Sequence, residues 1–188
     1  QKAVRARDVA DFEKMYRIIN NDPQNEILWV PAAAVKKIQK ARYAEMVLHE
    51  MWCVANLRIK SVEIQGDSAA VRFHHPESRI QFEHPWPRPM VTKDGHNSAF
   101  YLTNAMELLD EPGEWYHDIE SRKIYYYPRK GEKISKAVVP GIETLVWVEG
   151  TIDRPVKHIR FDNIAFQYTT WMRPSLQGHV PLQAGMYM

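Results

Sequence analysis

The chain is poor in cysteine: among 188 residues there is one, Cys53. A single thiol cannot close an internal disulfide. With no CxxC pair and no Cys/His cluster, a structural zinc site is excluded as well, and the cysteine count leaves the compartment open. Long apolar runs are missing too. No stretch approaches the roughly eighteen apolar residues of a membrane-spanning helix, and the opening QKAVRARD lacks the apolar core of a secretory signal. There is no excess of charge of one sign either: 25 Lys and Arg against 23 Asp and Glu leave a net charge of +2, so no nucleic-acid partner is expected. The chain starts without Met and stops at LQAGMYM with no polar tail, and we expect it to be a segment of a longer protein.

The composition is 45% hydrophobic and 26% charged, which is that of a folded globular chain. At this length about two-thirds of the unfolded surface can be buried, enough for a real core. Residues 12–19 read as a helical turn or two. EILWV (residues 26–30) reads as a strand ended by Pro31, and the Ala- and Lys-rich residues 32–39 as a short helix that needs tertiary packing. From Met46 the period changes to two. Leu57 and Ile59, then Val62 and Ile64, precede the turn Gln65-Gly66-Asp67-Ser68 and a strand over residues 70–73, an antiparallel hairpin. His84-Pro85-Trp86-Pro87-Arg88-Pro89 carries three prolines in alternate positions, which excludes a central strand and predicts a rigid connector anchored by Trp86. An exposed Trp86 would alternatively offer a sugar its ring face.

The stretch EWYHDIESRKIYYYPRK predicts a second hairpin. Its strands, residues 114–118 and 123–127, are joined by Ile119-Glu120-Ser121-Arg122, entered through Pro112-Gly113 and ended by Pro128. Trp115 and the tyrosines should meet across it, where aromatic cross-strand pairs contribute several tenths to about one kcal/mol each. Beyond residue 137 the spacing lengthens. Val139 and Ile159 are twenty positions apart, as are Val146 and Phe166, and a third copy falls at Met186; such an interval suits one coil of a solenoid. Ile159 and Phe161 share a face by period two, and so do Ile164 and Phe166, but the step between the pairs is odd. Asp162-Asn163 can reset the phase, because Asn tolerates the left-handed conformation that a tight bend requires.

The stretches NAMELLDEPGEWYHDIESRKIYYYPRKGE, IETLVWVEGTIDRPVKHIRFDNIAFQYTTW and GHVPLQAG, with ARDVADFEKMYRI, EILWVP, EMVLHEMWCVANLRIKSVEIQGDSAAVRF and FEHPWP before them, resemble right-handed parallel β-helix proteins of polysaccharide-degrading bacteria. Within these they are most similar to glycoside hydrolases whose helix carries a β-sandwich-like insertion. The resemblance implies a mainly β fold. A β-sandwich-like region with an aromatic hairpin and one or two short helices would occupy residues 1–136, and the first coils of a β-helix residues 137–188. It further implies a periplasmic or extracellular hydrolase acting on plant cell-wall or similar polysaccharides. Its partners would be an oligo- or polysaccharide substrate and the remainder of its own β-helix, with no membrane span.

Hydrolysis of a glycosidic bond generally requires two carboxylates roughly 5–9.5 Å apart. In enzymes of this architecture the pair sits on later coils, so no catalytic residue is assigned within these 188 positions. Asp110 and Glu111 precede Pro112-Gly113, where turn formation and capping account for them. Asp118 begins the hairpin loop and Asp162 belongs to the coil bend. Asp94 lies in a polar loop that a ligand could approach but that solvent also explains. His74 and His75 would point to opposite faces of a strand, and His49-Glu50 lacks the second His of a zinc-protease helix, so neither a metal nor any other cofactor is expected. Substrate contact is assigned instead to Trp171, His179 and Gln183, by ring stacking and hydrogen bonding; the competing reading makes Trp171 a packing residue and His179 an ordinary loop residue. Two alternatives to the hydrolase are a non-catalytic glycan-binding or structural β-module and a polysaccharide lyase. The lyase would need a Ca²⁺-binding carboxylate cluster and a Lys or Arg base, and no such cluster is apparent.

Overall fold

A two-residue alternation of buried and open side chains builds the largest sheet. The structure, a computed structural model, describes residues 4–8, 11–84, 87–170, 178–182 and 185–187. Among them run, in order, β1 (Val4–Arg5), β2 (Tyr16–Arg17), β3 (Asn20–Asp22), β4 (Ile27–Pro31), α1 (Ala32–Val35), β5 (Glu45–His49), β6 (Val54–Gln65), β7 (Ser68–Phe73), α2 (Glu77–Glu83), β8 (Ala99–Thr103), β9 (Glu114–Asp118), β10 (Lys123–Tyr126), β11 (Val180–Leu182) and β12 (Gly185–Tyr187). Seven of these strands form one antiparallel sheet in the order β2-β8-β5-β6-β7-β4-β3. Met46 and Leu48 of β5, Leu57 of β6, Val71 of β7 and Phe100 and Leu102 of β8 are buried on a common face. Full burial of each such side chain contributes about 1.5–3 kcal/mol.

The expected β6–β7 hairpin is present, with Gln65 opposite Ser68 and Gly66 at φ 61 in the turn. Its register carries an irregularity: Ile59 faces Phe73 and Ser61 faces Arg72, so Lys60 is the extra residue of a β-bulge. The buried set changes phase there, from Ala55, Leu57 and Ile59 to the partly buried Val62 and Ile64.

The helix expected over residues 32–39 forms as one α-turn, α1, running into a 3₁₀ turn at Lys36–Ile38. Ala34, Val35 and Ile38 are buried, supplying the packing that so short a helix needs. Over residues 12–19 the helical reading holds only for a 3₁₀ turn, Phe12–Lys14, capped by Asp11 through the Glu13 N–H at 3.2 Å. From Tyr16 the chain is extended because β2 pairs with β8.

The aromatic hairpin also forms. Tyr126 lies opposite Trp115 and Tyr125 opposite Tyr116. Asp118 accepts from the Ser121 hydroxyl at 2.7 Å and closes the turn. The Tyr126 hydroxyl donates to Glu132 at 2.5 Å and accepts from Arg129 at 2.9 Å, tying the Pro-Arg-Lys-Gly segment to the tyrosine run. The Arg129 guanidinium occupies the space a Cβ at Gly113 would need, and Gly113 has φ 100, so any other residue type would be strained at this corner. β1 adds to β9 in parallel, and the small sheet lends Ala6 and Tyr116 to the core.

Residues 1–132, with β11 and β12, form one unit; residues 133–170 belong to a second. Within residues 133–170 there is neither strand nor helix. Val139, Val146, Ile159 and Phe166, the positions of the twenty-residue interval, are exposed. Asn163 adopts φ 56, the left-handed bend expected of it, and the Phe161 and Phe166 rings meet edge to face across that bend at 5.6 Å. A long-range backbone bond, from the Thr170 N–H to the Ile142 carbonyl at 3.1 Å, joins positions 28 apart in sequence.

Candidate functional site

Of the three residues assigned to substrate contact, His179 is among the described residues; Trp171 and Gln183 lie outside them. His179 is half-buried and pairs its backbone with Asn56 of β6 in both directions, at 2.8 and 2.7 Å. Of the acidic residues weighed above, Asp110 pairs with Lys37 at 2.8 Å and Asp162 with Arg160 at 2.7 Å, while Asp94 is an exposed loop residue 3.8 Å from His96. None of them lines the polar cleft beside the β3–β4 turn.

This cleft, of about 240 Å³, opens between the β3–β4 turn and the β6–β7 hairpin. It is lined by Gln24, Asn25, Glu26, Lys60, Arg72, Phe73, His75 and Ser78. Each wall has a local cause. The β3–β4 turn delivers Glu26 at φ 53, a left-handed conformation that a long side chain rarely adopts and that tertiary contacts must hold. The β-bulge sets Lys60, and α2 brings up Ser78, which is buried. The Ser78 hydroxyl donates to Glu26 Oε2 at 2.5 Å, and His75 Nε2 approaches the same oxygen at 3.1 Å. Because both converge on one carboxylate, His75 does not touch the serine, and this is not a serine–histidine nucleophile. Glu26 is the one carboxylate of the lining, so two-carboxylate glycosidic chemistry is not built here.

A buried ion pair adjoins the lining residue His75, whose carbonyl accepts from Arg58 at 3.0 Å. Glu77, 1% exposed, receives Arg58 Nε at 2.6 Å, Arg58 Nη2 at 2.9 Å and the Arg58 backbone N–H at 3.3 Å. A two-pronged charged pair of this kind fixes its partners' orientation, and it stands between His75 and Ser78 in sequence.

A separate polar group sits at the β5–β6 turn. The Glu50 carboxyl accepts from Gln81 Nε2 at 2.6 Å and from the Cys53 thiol at 3.4 Å. Burial lifts its pKa from 4.5 to about 7, against the lowering effect of those two hydrogen bonds. Burial, with the neighbouring Glu50 charge, pushes the Cys53 thiol up to about 12, which keeps it protonated and unreactive at neutral pH. The folded state therefore holds the Glu50 proton more tightly than the unfolded chain does. Stability from this group is complete below about pH 4.5 and is lost as pH rises toward 7. With a discount for the partial exposure of Glu50, Glu50→Gln is expected to raise Tm at pH 8 by about 2–4 °C, and to leave it nearly unchanged at pH 4.5. Thermal unfolding at the two pH values checks this. Among the described residues no group of three His, Cys, Asp or Glu is placed to hold a metal ion, and no helix is long and apolar enough to cross a membrane.

Residues 1–129 match the family model described as the GH141 insertion domain. The chain belongs to that family. The cleft and the Glu50 group both lie inside the insertion domain, while residues 133–170, Trp171, His179 and Gln183 come after it. A solved structure named "Glycoside hydrolase" is 71% identical, with a TM-score of 0.93 over 98% of this chain and 33% of that one. The chain thus spans about a third of that protein's length. No curated protein matches it.

The cleft residues Glu26, Lys60, His75 and Ser78 were not singled out as ligand contacts from sequence. One signal was available: the three-residue step from Ile59 to Val62 breaks a period of two and marks the bulge that sets Lys60.

Proposed function

We propose that this chain is a segment of a glycoside hydrolase acting on plant cell-wall or similar polysaccharides. In this reading the insertion domain flanks a substrate path and the catalytic carboxylates lie beyond Met188. The single observation that supports it most is the 71% identity to a glycoside hydrolase of which this chain spans one third. Residues 137–188 are read as the first coils of a right-handed parallel β-helix in the whole protein, an exported one. The exposed apolar residues of that stretch and the left-handed Asn163 support this, since isolated coils bury little until neighbours stack on them. Trp171, His179 and Gln183 contact the glycan in this scheme, with Trp171 as the stacking ring.

A longer polypeptide that continues past residue 188 is expected to hydrolyse an aryl glycoside or a plant glycan, and residues 1–188 alone to hydrolyse none. Turnover by the short chain would overturn the placement of the acids. In the longer protein, Trp171→Ala should weaken glycan binding by roughly 3–10-fold, the value of one aromatic contact, and leave Tm nearly unchanged. An unaltered affinity removes Trp171 from the substrate path. The single-carboxylate cleft favours a second reading, a glycan-binding role for the insertion domain itself.

A further inference from the structure

We propose that the cleft between the β3–β4 turn and the β6–β7 hairpin is a subsite for one acidic sugar, a hexuronate residue of a glycan, whose carboxylate sits between Lys60 and Arg72. The ligand class rests on the glycan reading above; the charge of the sugar is inferred from the cleft.

The cleft carries more positive than negative charge. Lys60 makes no ion pair among the described residues, and the nearest carboxylate to Arg72 is Glu63, at 4.0 Å on the exposed surface. Against these two cations stands Glu26 alone. A neutral sugar would leave Lys60 without a counter-charge and Arg72 with only the distant Glu63. A fully deprotonated inorganic anion such as sulfate would face Glu26 with no proton to donate to it. A hexuronate answers both conditions, because its carboxylate meets the cations and its ring hydroxyls donate to Glu26. The carboxylate is prepared for this: Ser78 and His75 both engage Oε2, and Oε1 accepts no hydrogen bond from the described residues. Gln24 and Asn25 add amide donors and acceptors at the rim.

Two departures from regular backbone converge here, the bulge at Lys60 and the left-handed Glu26. Bulges re-aim side chains, and non-glycine residues held at positive φ gather at binding sites. The volume of about 240 Å³ falls below the roughly 300–1,000 Å³ of sites for drug-sized ligands, so the cleft takes one ring rather than a chain. The one aromatic residue of the lining, Phe73, is buried, and recognition therefore relies on charge and hydrogen bonds rather than stacking.

The test is calorimetric titration of the 188-residue chain with oligogalacturonate and oligoglucuronate trimers and with their methyl esters, which keep the ring and remove the charge. The acids are expected to bind at least tenfold more tightly than the esters. Lys60→Gln is expected to remove that difference while moving Tm by less than about 1 °C. Equal binding of acid and ester, absence of binding by both acids, or an unchanged preference in Lys60→Gln overturns the proposal. The readout is separate from hydrolysis. A longer protein that cleaves neutral glycans beside a cleft that ignores uronates overturns the subsite alone, and uronate binding by the 188-residue chain with no hydrolysis by the longer protein overturns the hydrolase reading alone.

Discussion

Arg58→Ala is expected to destabilise the protein by about 3–5 kcal/mol, the cost of removing one partner from a buried ion pair. The guanidinium gives Glu77 two of its three hydrogen bonds and also donates to the His75 carbonyl at 3.0 Å. Alanine leaves a 1% exposed carboxylate with a single backbone N–H at 3.3 Å. For a chain of this size the loss corresponds to a Tm lower by roughly 6–20 °C. The effect should extend to the cleft, because Glu77 stands between two of its lining residues, His75 and Ser78. The pair Arg58→Met with Glu77→Leu should recover most of the stability, since replacing both charges by apolar groups removes the uncompensated ion. A loss below about 1 kcal/mol for Arg58→Ala would mean that water reaches Glu77 and that the pair is not a foundation of this region.

Where a stretch of chain determines its own geometry, the sequence was legible. The β6–β7 hairpin follows from alternation and a Gly-Asp turn, and the aromatic hairpin from Pro-Gly before it and Pro after it. Asn163 could be read as a left-handed bend because an odd step between two inward pairs needs a phase reset. The same reasoning, applied to the step from Ile59 to Val62, would have found the bulge and Lys60. α2 left no comparable signal. Two turns are too few to show a period of 3.6, and its buried Glu77, Ser78 and Gln81 read as surface residues until their partners are known. Those partners, Arg58, Glu26 and Glu50, lie 19, 52 and 31 positions away. The polar cleft is assembled by these distant pairings, and so its charge balance became visible only in the fold.

Gly178→Ala should be costly for two separable reasons, together about 2–5 kcal/mol. Gly178 adopts φ 66, where a Cβ costs about 1–2 kcal/mol. That Cβ would also lie 2.7 Å from Glu77 Cγ and 2.8 Å from Cδ, an overlap that the Arg58 pairing prevents Glu77 from relieving; forced packing of this kind costs about 1–3 kcal/mol. Urea unfolding of the single and double variants separates the two parts. In a Glu77→Ala background the overlaps with Cγ and Cδ are gone and the 2.9 Å approach to the residue-77 Cβ remains, so Gly178→Ala should cost little more than the backbone share, with a coupling of about 1–2 kcal/mol between the sites. Additive losses would show that the segment from Gly178 does not bear on Glu77. The consequence reaches His179, whose two backbone bonds to Asn56 follow directly from the Gly178 bend. If the bend opens, β11 leaves β6, and the imidazole assigned to glycan contact loses the strand that positions it.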